Sequence, residues 1–363
     1  MKFRVASVQL NSVLGEIEVN KRKIISLLAQ LPKSLEVDMI VLPEMALTGY
    51  NFGSREGISS YLDRADSPRV VDFARGLSRE WGCFTVVGVA ELASSNANPT
   101  TCASAPTPIY NSCKLISPSG SLLHTHHKAF LYETDEVWGC SEGPGFSAVD
   151  VILDKSYYTS PTSDPSPGLP TARMQFGICM DLNPYKFEAP FNAFEFSLAC
   201  YRQHAQLVVC PMAWLSPHSP SLDFASTRNR ASRQVALQNA KVLPVIDVQE
   251  SDSTDSIFAP PDQYVPRLAD MSTVDYHILR FFPFMGHPHN SLPPRRTAVV
   301  TCNRVGVETD VMYGGSSSMF SFTGNNVGDA TGHTNPSVRF YGALPMGVEG
   351  ILYRELDIDV DKT

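Results

Sequence analysis

The feature that most restricts how this chain can fold is its alternation of short apolar runs with segments of helical period. MIVLPE (39–44) is a brief, unbroken apolar run ended by Pro43, which suits a strand covered on both faces. Residues 17–31 instead place Ile17, Ile24, Leu27, Leu28 and Leu31 on one face of a helix, with Lys21, Arg22 and Lys23 outside. Ser67-Pro68 reads as a helix start and Gly82 as its stop, and FTVVGVAEL (84–92) is again a strand. IYNSCKLISPSGSLLHTHHK pairs two strands around Pro118-Ser119-Gly120. Further along come a strand over 173–178, a helix from near Pro190 and the strand QLVVCP (206–211). A helix over 222–241 and the strand LPVIDV (243–248) follow, then the strands TAVVTCN, SMFSF and EGILYRELDIDV. Loops rich in Pro and Ser cover 94–108 and 157–170. Residues 251–295 are rich in Pro, Asp and His without clear periodicity and read as an insertion or lid. Strand–helix alternation gives an α/β class, and the hairpin and the strand-rich last third make the sheets mixed. No composition break marks a linker, so residues 1–363 read as one domain.

Composition narrows the function. The 363 residues are 43% hydrophobic, enough for a sizeable core. A net charge of −8 argues against a nucleic-acid partner, which would need a basic face. No stretch approaches the roughly 20 apolar residues of a membrane span. MKFRVASVQLNSVLGE reads as a strand within the fold and not as a signal peptide. Eight cysteines without a C-x-x-C pair suggest neither a disulfide framework nor a zinc ribbon. Both Asn-x-Ser/Thr matches, at Asn98 and Asn335, carry Pro at x, so neither is a glycosylation acceptor. Together these features point to a reducing, cytoplasmic compartment.

Three segments end an apolar strand on a reactive residue: VLPEMALTGY at Glu44, SLLHTHHKAFLYETDE at Lys128 and RMQFGICMD at Cys179. Open α/β sheets build sites beyond the carboxyl ends of their strands. A thiol needs a base to become the attacking thiolate, a carboxylate can take that proton, and an ammonium can stabilise a tetrahedral oxyanion. The bland readings are a buried thiol, a turn glutamate and a solvated lysine. The three positions lie 84 and 51 residues apart, so spacing alone does not bring them together. His124, His126 and His127 lack a Cys or acidic partner at ligand spacing, and no metal or other cofactor is expected.

The motifs VASVQLN, LPEMALTGY, HKAFLYETDE, FGICMDLNPYKFEAP, VVCPMAW, CNRVGVETDVMYGGSS and ILYRELDID occur in an order that resembles the nitrilase superfamily of carbon–nitrogen hydrolases over nearly the whole chain. That resemblance implies a four-layer α-β-β-α sandwich, usually dimeric through helices at a two-fold interface. It makes Glu44 the general base, Lys128 the oxyanion stabiliser and Cys179 the nucleophile. Glu136, eight residues after Lys128, falls where many members carry a second active-site glutamate, and the Met180 N–H completes the oxyanion hole. Where many members continue the cysteine block with Arg-Phe-Pro-Glu, this chain has Asp181-Leu182-Asn183-Pro184-Tyr185-Lys186-Phe187. The missing arginine weakens the case for substrates bearing a free carboxylate.

ICMDLNPYKFEAP, with TGYNF and ETDEVWG, most resembles the fungal protein N-terminal amidases, which convert N-terminal Asn and Gln to Asp and Glu and feed the N-degron pathway. A pocket rich in acids (Asp135, Glu136, Asp181) would suit a substrate α-ammonium. Asp181 reads equally as the cap of its own turn, and Trp138 and Trp214 as pocket lining or core. The implied partners are protein or peptide N-termini, with no nucleic acid and no membrane. A small-amide or free-amino-acid amidase, a nitrilase proper and a silent binding scaffold stay open as alternatives, as does monomer against dimer.

Overall fold

The computed structural model describes residues 1–93, 106–159, 168–222, 227–240, 242–247, 264–325 and 335–362. Most of the loop over 94–108, the centre of that over 157–170, residues 251–263 of the expected insertion and Cys102 lie outside the described residues.

Two mixed sheets face each other. The first runs Leu122–His127, Ile109–Ile116, Phe84–Leu92, Met39–Val41, Lys2–Gln9, Val348–Asp357, Leu243–Asp247. The second runs Val338–Ala343, Ser318–Thr323, Arg296–Cys302, Leu207–Pro211, Pro170–Phe176, Asp361–Lys362, with Ala148–Ile152 also paired to Pro170–Phe176. Strand periodicity sorts each strand's side chains between two layers. Phe3, Val5, Met39, Val41, Phe84 and Val86 meet Met174, Phe176, Leu207, Val209 and Val300 between the sheets. Their neighbours Ala6, Val8, Ile40, Val87 and Val89 face outward, against Ile24, Leu27 and Leu28 of the Ile17–Leu28 helix and Val70, Val71, Ala74 and Leu77 of the Arg69–Trp81 helix. The outer face of the second sheet, with Val208, Val299, Phe320 and Phe322, packs on Phe196, Cys200, Met271, Val274 and Ile278. The result is the α-β-β-α order.

Three local features depart from the sequence reading. The Arg69–Trp81 helix ends at Gly82 in the left-handed conformation (φ +56°), as expected, but its N-terminus is held by Asp63, whose carboxylate accepts from the N–H groups of Val70 and Val71 at 3.0–3.1 Å. The helix expected near Pro190 begins only at Glu195, after 3₁₀ turns at Tyr185–Phe187 and Phe191–Ala193. Pro184 and Pro190 hold the preceding residues out of the helical region, and Phe194 is left-handed (φ +47°).

The third departure corrects the insertion over 251–295. Its described part contains the Met271–Arg280 helix, capped by Asp270, and contributes Met271, Val274, Ile278, Phe281 and Phe284 to the core over the second sheet. This described part packs as a layer over the second sheet. His277 and Arg280 are themselves buried (1% and 2% exposed), so polar residues on the inward face interrupted the apolar period.

Candidate active site

Cys179 stands at the end of Pro170–Phe176. Gly177 and Ile178 follow that strand, and Cys179 opens a 3₁₀ turn with φ +42°, a left-handed conformation unusual for a residue with a Cβ. Gly177 is required beneath it: a Cβ there would lie 2.5 Å from the Phe196 ring. Left-handed strain costs roughly 1–2 kcal/mol. Asp181 offsets it. One carboxylate oxygen accepts from the N–H groups of Ala129 (2.9 Å) and Phe130 (2.8 Å), and the other from Ile178 N–H (2.8 Å) and His126 Nε2 (2.9 Å). Hydrogen bonds to a charged group contribute about 1.5–3 kcal/mol each, so the staple outweighs the strain. It also ties the cysteine turn to the chain that follows Lys128.

Glu44 ends its own strand in a similar way. Leu42 N–H donates to Val86 carbonyl at 2.9 Å, Pro43 ends the pairing, and Met45 is left-handed (φ +52°). The turn passes directly over Gly88, where a Cβ would lie 2.6 Å from the Glu44 Cα. Glu44 is fully buried. Its Oε1 accepts from Lys128 Nζ (2.8 Å) and Asn111 Nδ2 (2.7 Å), and its Oε2 from Ala213 N–H (2.7 Å).

Lys128, also fully buried, follows the Leu122–His127 strand. Its N–H donates to Asn111 carbonyl, and its own carbonyl accepts from Gly143 N–H, both at 2.8 Å. Nζ donates to Glu44 and, at 2.6 Å, to Asp135 Oδ2, and lies 5.5 Å from the centroid of the Tyr50 ring. Its third N–H bond enters no hydrogen bond among the described residues.

The electrostatics follow from this closure. Burial pushes Glu44 above the ordinary carboxylate range, with Lys128 pulling the other way. Burial works against the charge of Lys128, but Asp135 and Glu44 outweigh it and hold its pKa well above the ordinary lysine value. Burial, then the Glu44 carboxylate, push the Cys179 thiol well up. The Cys179 thiol therefore rests neutral, near a carboxylate that can take its proton. Cys179 is half-buried and within reach of a substrate, whereas Cys83, Cys113, Cys200, Cys210 and Cys302 are core thiols.

The other expected residues separate. Asp135 joins the network by bonding Lys128 and Asn111, and its remaining contact is Tyr132 N–H. Glu136, one residue on, is exposed on the outer side of the Glu133–Val137 helix and touches none of these groups. Adjacent helical residues face directions about 100° apart, so only one of the two acids can point inward. The Asp181 carboxylate takes part in four hydrogen bonds, which fits the turn-holding alternative weighed for it from the sequence. The Met180 side chain is buried, and its N–H, at the start of the turn, makes no hydrogen bond among the described residues. Trp138 is fully buried and packs edge-on to Tyr50, so it is core. Trp214 is partly exposed and stands edge-on to His277, and its backbone N–H donates to Asn303 Oδ1. The three histidines diverge: His124 stacks on Phe176, His126 bonds Asp181, and His127 bonds Ser112. Among the described residues no group of three His, Cys, Asp or Glu could hold a metal ion.

Two site residues were missed from the sequence. Tyr50 lies inside the TGYNF segment with its hydroxyl buried and without a hydrogen-bond partner among the described residues, and its backbone N–H is held by the Glu308 carboxylate at 3.2 Å. Asn111 shares a strand face with the buried Cys113 and Leu115, and an amide among apolar neighbours was the available signal.

The carbon–nitrogen hydrolase family model matches residues 4–183, the part that contains Glu44, Lys128 and Cys179. The protein N-terminal amidase of Schizosaccharomyces pombe is 36% identical over 237 residues, covering 61% of this chain and 73% of that protein. This chain belongs to the carbon–nitrogen hydrolases. The protein N-terminal amidase of Saccharomyces cerevisiae is 32% identical over 306 residues, or 78% of this hydrolase but only 64% of the yeast protein's length. A crystal structure of an N-terminal amidase with a Gln-Gly peptide superposes with a TM-score of 0.80 at 27% identity, covering 98% of this chain and 97% of the other. One with an Asn-Glu-Ala peptide gives 0.79 at 26% identity, with the same coverage. These agree with the α-β-β-α order and with a hydrolase acting on amide C–N bonds. Among the described residues no helix is long and apolar enough to cross a membrane.

Proposed function

We propose that this hydrolase converts N-terminal Asn or Gln of polypeptides to Asp or Glu with release of ammonia. The observation that carries the chemistry is the buried Glu44–Lys128–Asp135 network set against a left-handed Cys179. The substrate class rests on the relatives named as protein N-terminal amidases and on neighbours solved with Gln- and Asn-starting peptides.

Glu44 takes the thiol proton as Cys179 Sγ forms a bond to the side-chain amide carbon, and the carbonyl π pair moves to oxygen. The third N–H of Lys128 and the Met180 N–H receive that oxyanion, a contribution of roughly 3–4 kcal/mol per donor in comparable sites. Lys128 does not double as the base, because its two carboxylate partners keep it protonated. Collapse breaks the C–N bond, Glu44 returns its proton to the leaving nitrogen, and ammonia departs. Water, deprotonated by Glu44, then cleaves the thioester and restores the thiol.

The test uses a peptide beginning with Asn, one with Asn in its interior and free asparagine, with ammonia and the ~1 Da mass gain of deamidation as readouts. The reading predicts deamidation of the first alone, lost on the order of 10³-fold or more in Cys179→Ala. Turnover confined to free asparagine would place the enzyme among small-amide hydrolases, and no turnover of any substrate would favour a binding scaffold.

A further inference from the structure

The hydrogen bonding of the site concentrates on one neutral side chain outside Glu44, Lys128 and Cys179. Asn111 lies in the Ile109–Ile116 strand, fully buried, and touches every acidic and basic part of the network. Its Nδ2 gives one hydrogen to Glu44 Oε1 (2.7 Å) and the other to Asp135 Oδ1 (2.9 Å). Its carbonyl accepts from Lys128 N–H at 2.8 Å, and its N–H donates to Cys140 Sγ at 3.2 Å. The amide orientation is forced: a flipped side chain would present its oxygen to two carboxylates.

Charge counting shows why such a residue matters. Two carboxylates, Glu44 and Asp135, share one ammonium, Lys128, and all three side chains are fully buried. Like charges at this range push one partner to take up a proton, which would remove the base. An amide donor on Glu44 favours its ionised form without adding a proton that could leave. A carboxylate or a lysine at this position could not do that, because each would alter the charge of the trio.

We propose that Asn111 is a positioning residue that keeps Glu44 ionised and aimed at Cys179. The Asn111 Oδ1 is buried with no hydrogen-bond partner among the described residues. The proposal rests on the amidase reading only for the identity of the substrate. Besides Asn111, the titratable and charged groups around Glu44 are Lys128, Asp135, Cys179, Tyr50, Tyr313, Arg304 and Cys140. None of the others donates a neutral amide hydrogen to it, although Ala213 supplies a backbone N–H to its second oxygen. Removing the Asn111 donor therefore moves Glu44 toward its protonated form.

The test measures alkylation of Cys179 by iodoacetamide against pH, located by peptide mass mapping, in the full-length protein and in Asn111→Ala and Asn111→Asp. Alkylation needs no substrate, so it reads Asn111 even if the protein acts on something other than N-terminal Asn. Wild-type turnover of the Asn-starting peptide, run alongside, tests the amidase reading separately. The expected result is an acid limb displaced upward by about one pH unit in Asn111→Ala, further in Asn111→Asp, with kcat against the peptide reduced about 10²-fold and KM little changed. Thermal melting identifies variants that fail to fold. For those, Asn111→Ser, whose one small donor cannot serve both carboxylates, is expected to show a smaller upward displacement of the same limb. An acid limb unchanged in a folded Asn111→Ala or Asn111→Ser variant would overturn the proposal.

Discussion

A cysteine held left-handed at a strand end is a reservoir of strain, and here each neighbour explains part of it. Asp181 fixes the turn, Glu44 faces the thiol and Lys128 neutralises half of the acid around it. Because the thiol rests protonated, the rate depends on how much Glu44 is ionised. Glu44 stands above its ordinary value of 4.5, so kcat/KM is expected to fall on the acid side with an apparent pKa above that value. A profile from pH 4 to 9 checks this. The stability sign runs the other way: raising pH through the ordinary carboxylate range ionises the unfolded glutamate first and weakens the fold, while the raised Lys128 contributes until pH passes above 10.5. At this scale the sequence was legible where a motif fixes a position: the structure brings the Glu44 and Lys128 side chains to 2.8 Å and sets Cys179 in the turn after Pro170–Phe176. It was not legible where helix phase decides, as between Asp135 and Glu136, or where saturation decides, as at Asp181. Hydrogen bonds made across 50 residues of chain leave no local mark in the sequence.

At the scale of elements, the site is made by strands that stop and by what lies beneath their turns. The Glu44 turn crosses the Phe84–Leu92 strand at its one glycine. A methyl at Gly88 would press on the Glu44 Cα, the Pro43 carbonyl and the Met45 N–H, all backbone atoms that cannot rotate aside. Gly88→Ala is therefore expected to displace the base by a fraction of an ångström or more and to lower kcat/KM about 10²-fold, with a smaller loss of melting temperature. Steady-state kinetics with calorimetry on the same variant separates the two effects. Strands and hairpin were readable from apolar runs and turn residues: Phe84–Leu92 and the pair around Pro118-Ser119-Gly120 fall where expected. The start of the Glu195–Arg202 helix was not: Pro184 and Pro190 mark local breaks, but nothing in the sequence sets Phe194 left-handed just before the helix.

Across the whole molecule, the two-sheet core and its two helical layers leave the strand ends at a common site. The sequence conveyed the layers through alternating faces, as in Phe3 and Val5 against Ala6 and Val8. It hid the layer built by Met271–Arg280, whose inward face carries a histidine and an arginine. That correction has a measurable consequence. Phe281 is fully buried among Phe196, Phe284, Phe320 and Phe322. Phe281→Ala is expected to lower unfolding free energy by about 3–5 kcal/mol in urea melts, where a mobile lid would lose nothing. A substrate-dependent defect in an otherwise stable protein would restore the lid reading.

The central claim is that Cys179 carries the acyl group between the two half-reactions. The direct measurement is the mass of the protein quenched during turnover of an Asn-starting peptide, followed by mapping of the adduct. The account predicts a species heavier than the free enzyme by the peptide less ammonia, ~17 Da below simple addition, located on the Cys179 peptide and absent from Cys179→Ala. Full turnover with no adduct at any quench time, or an adduct on another residue, would contradict it.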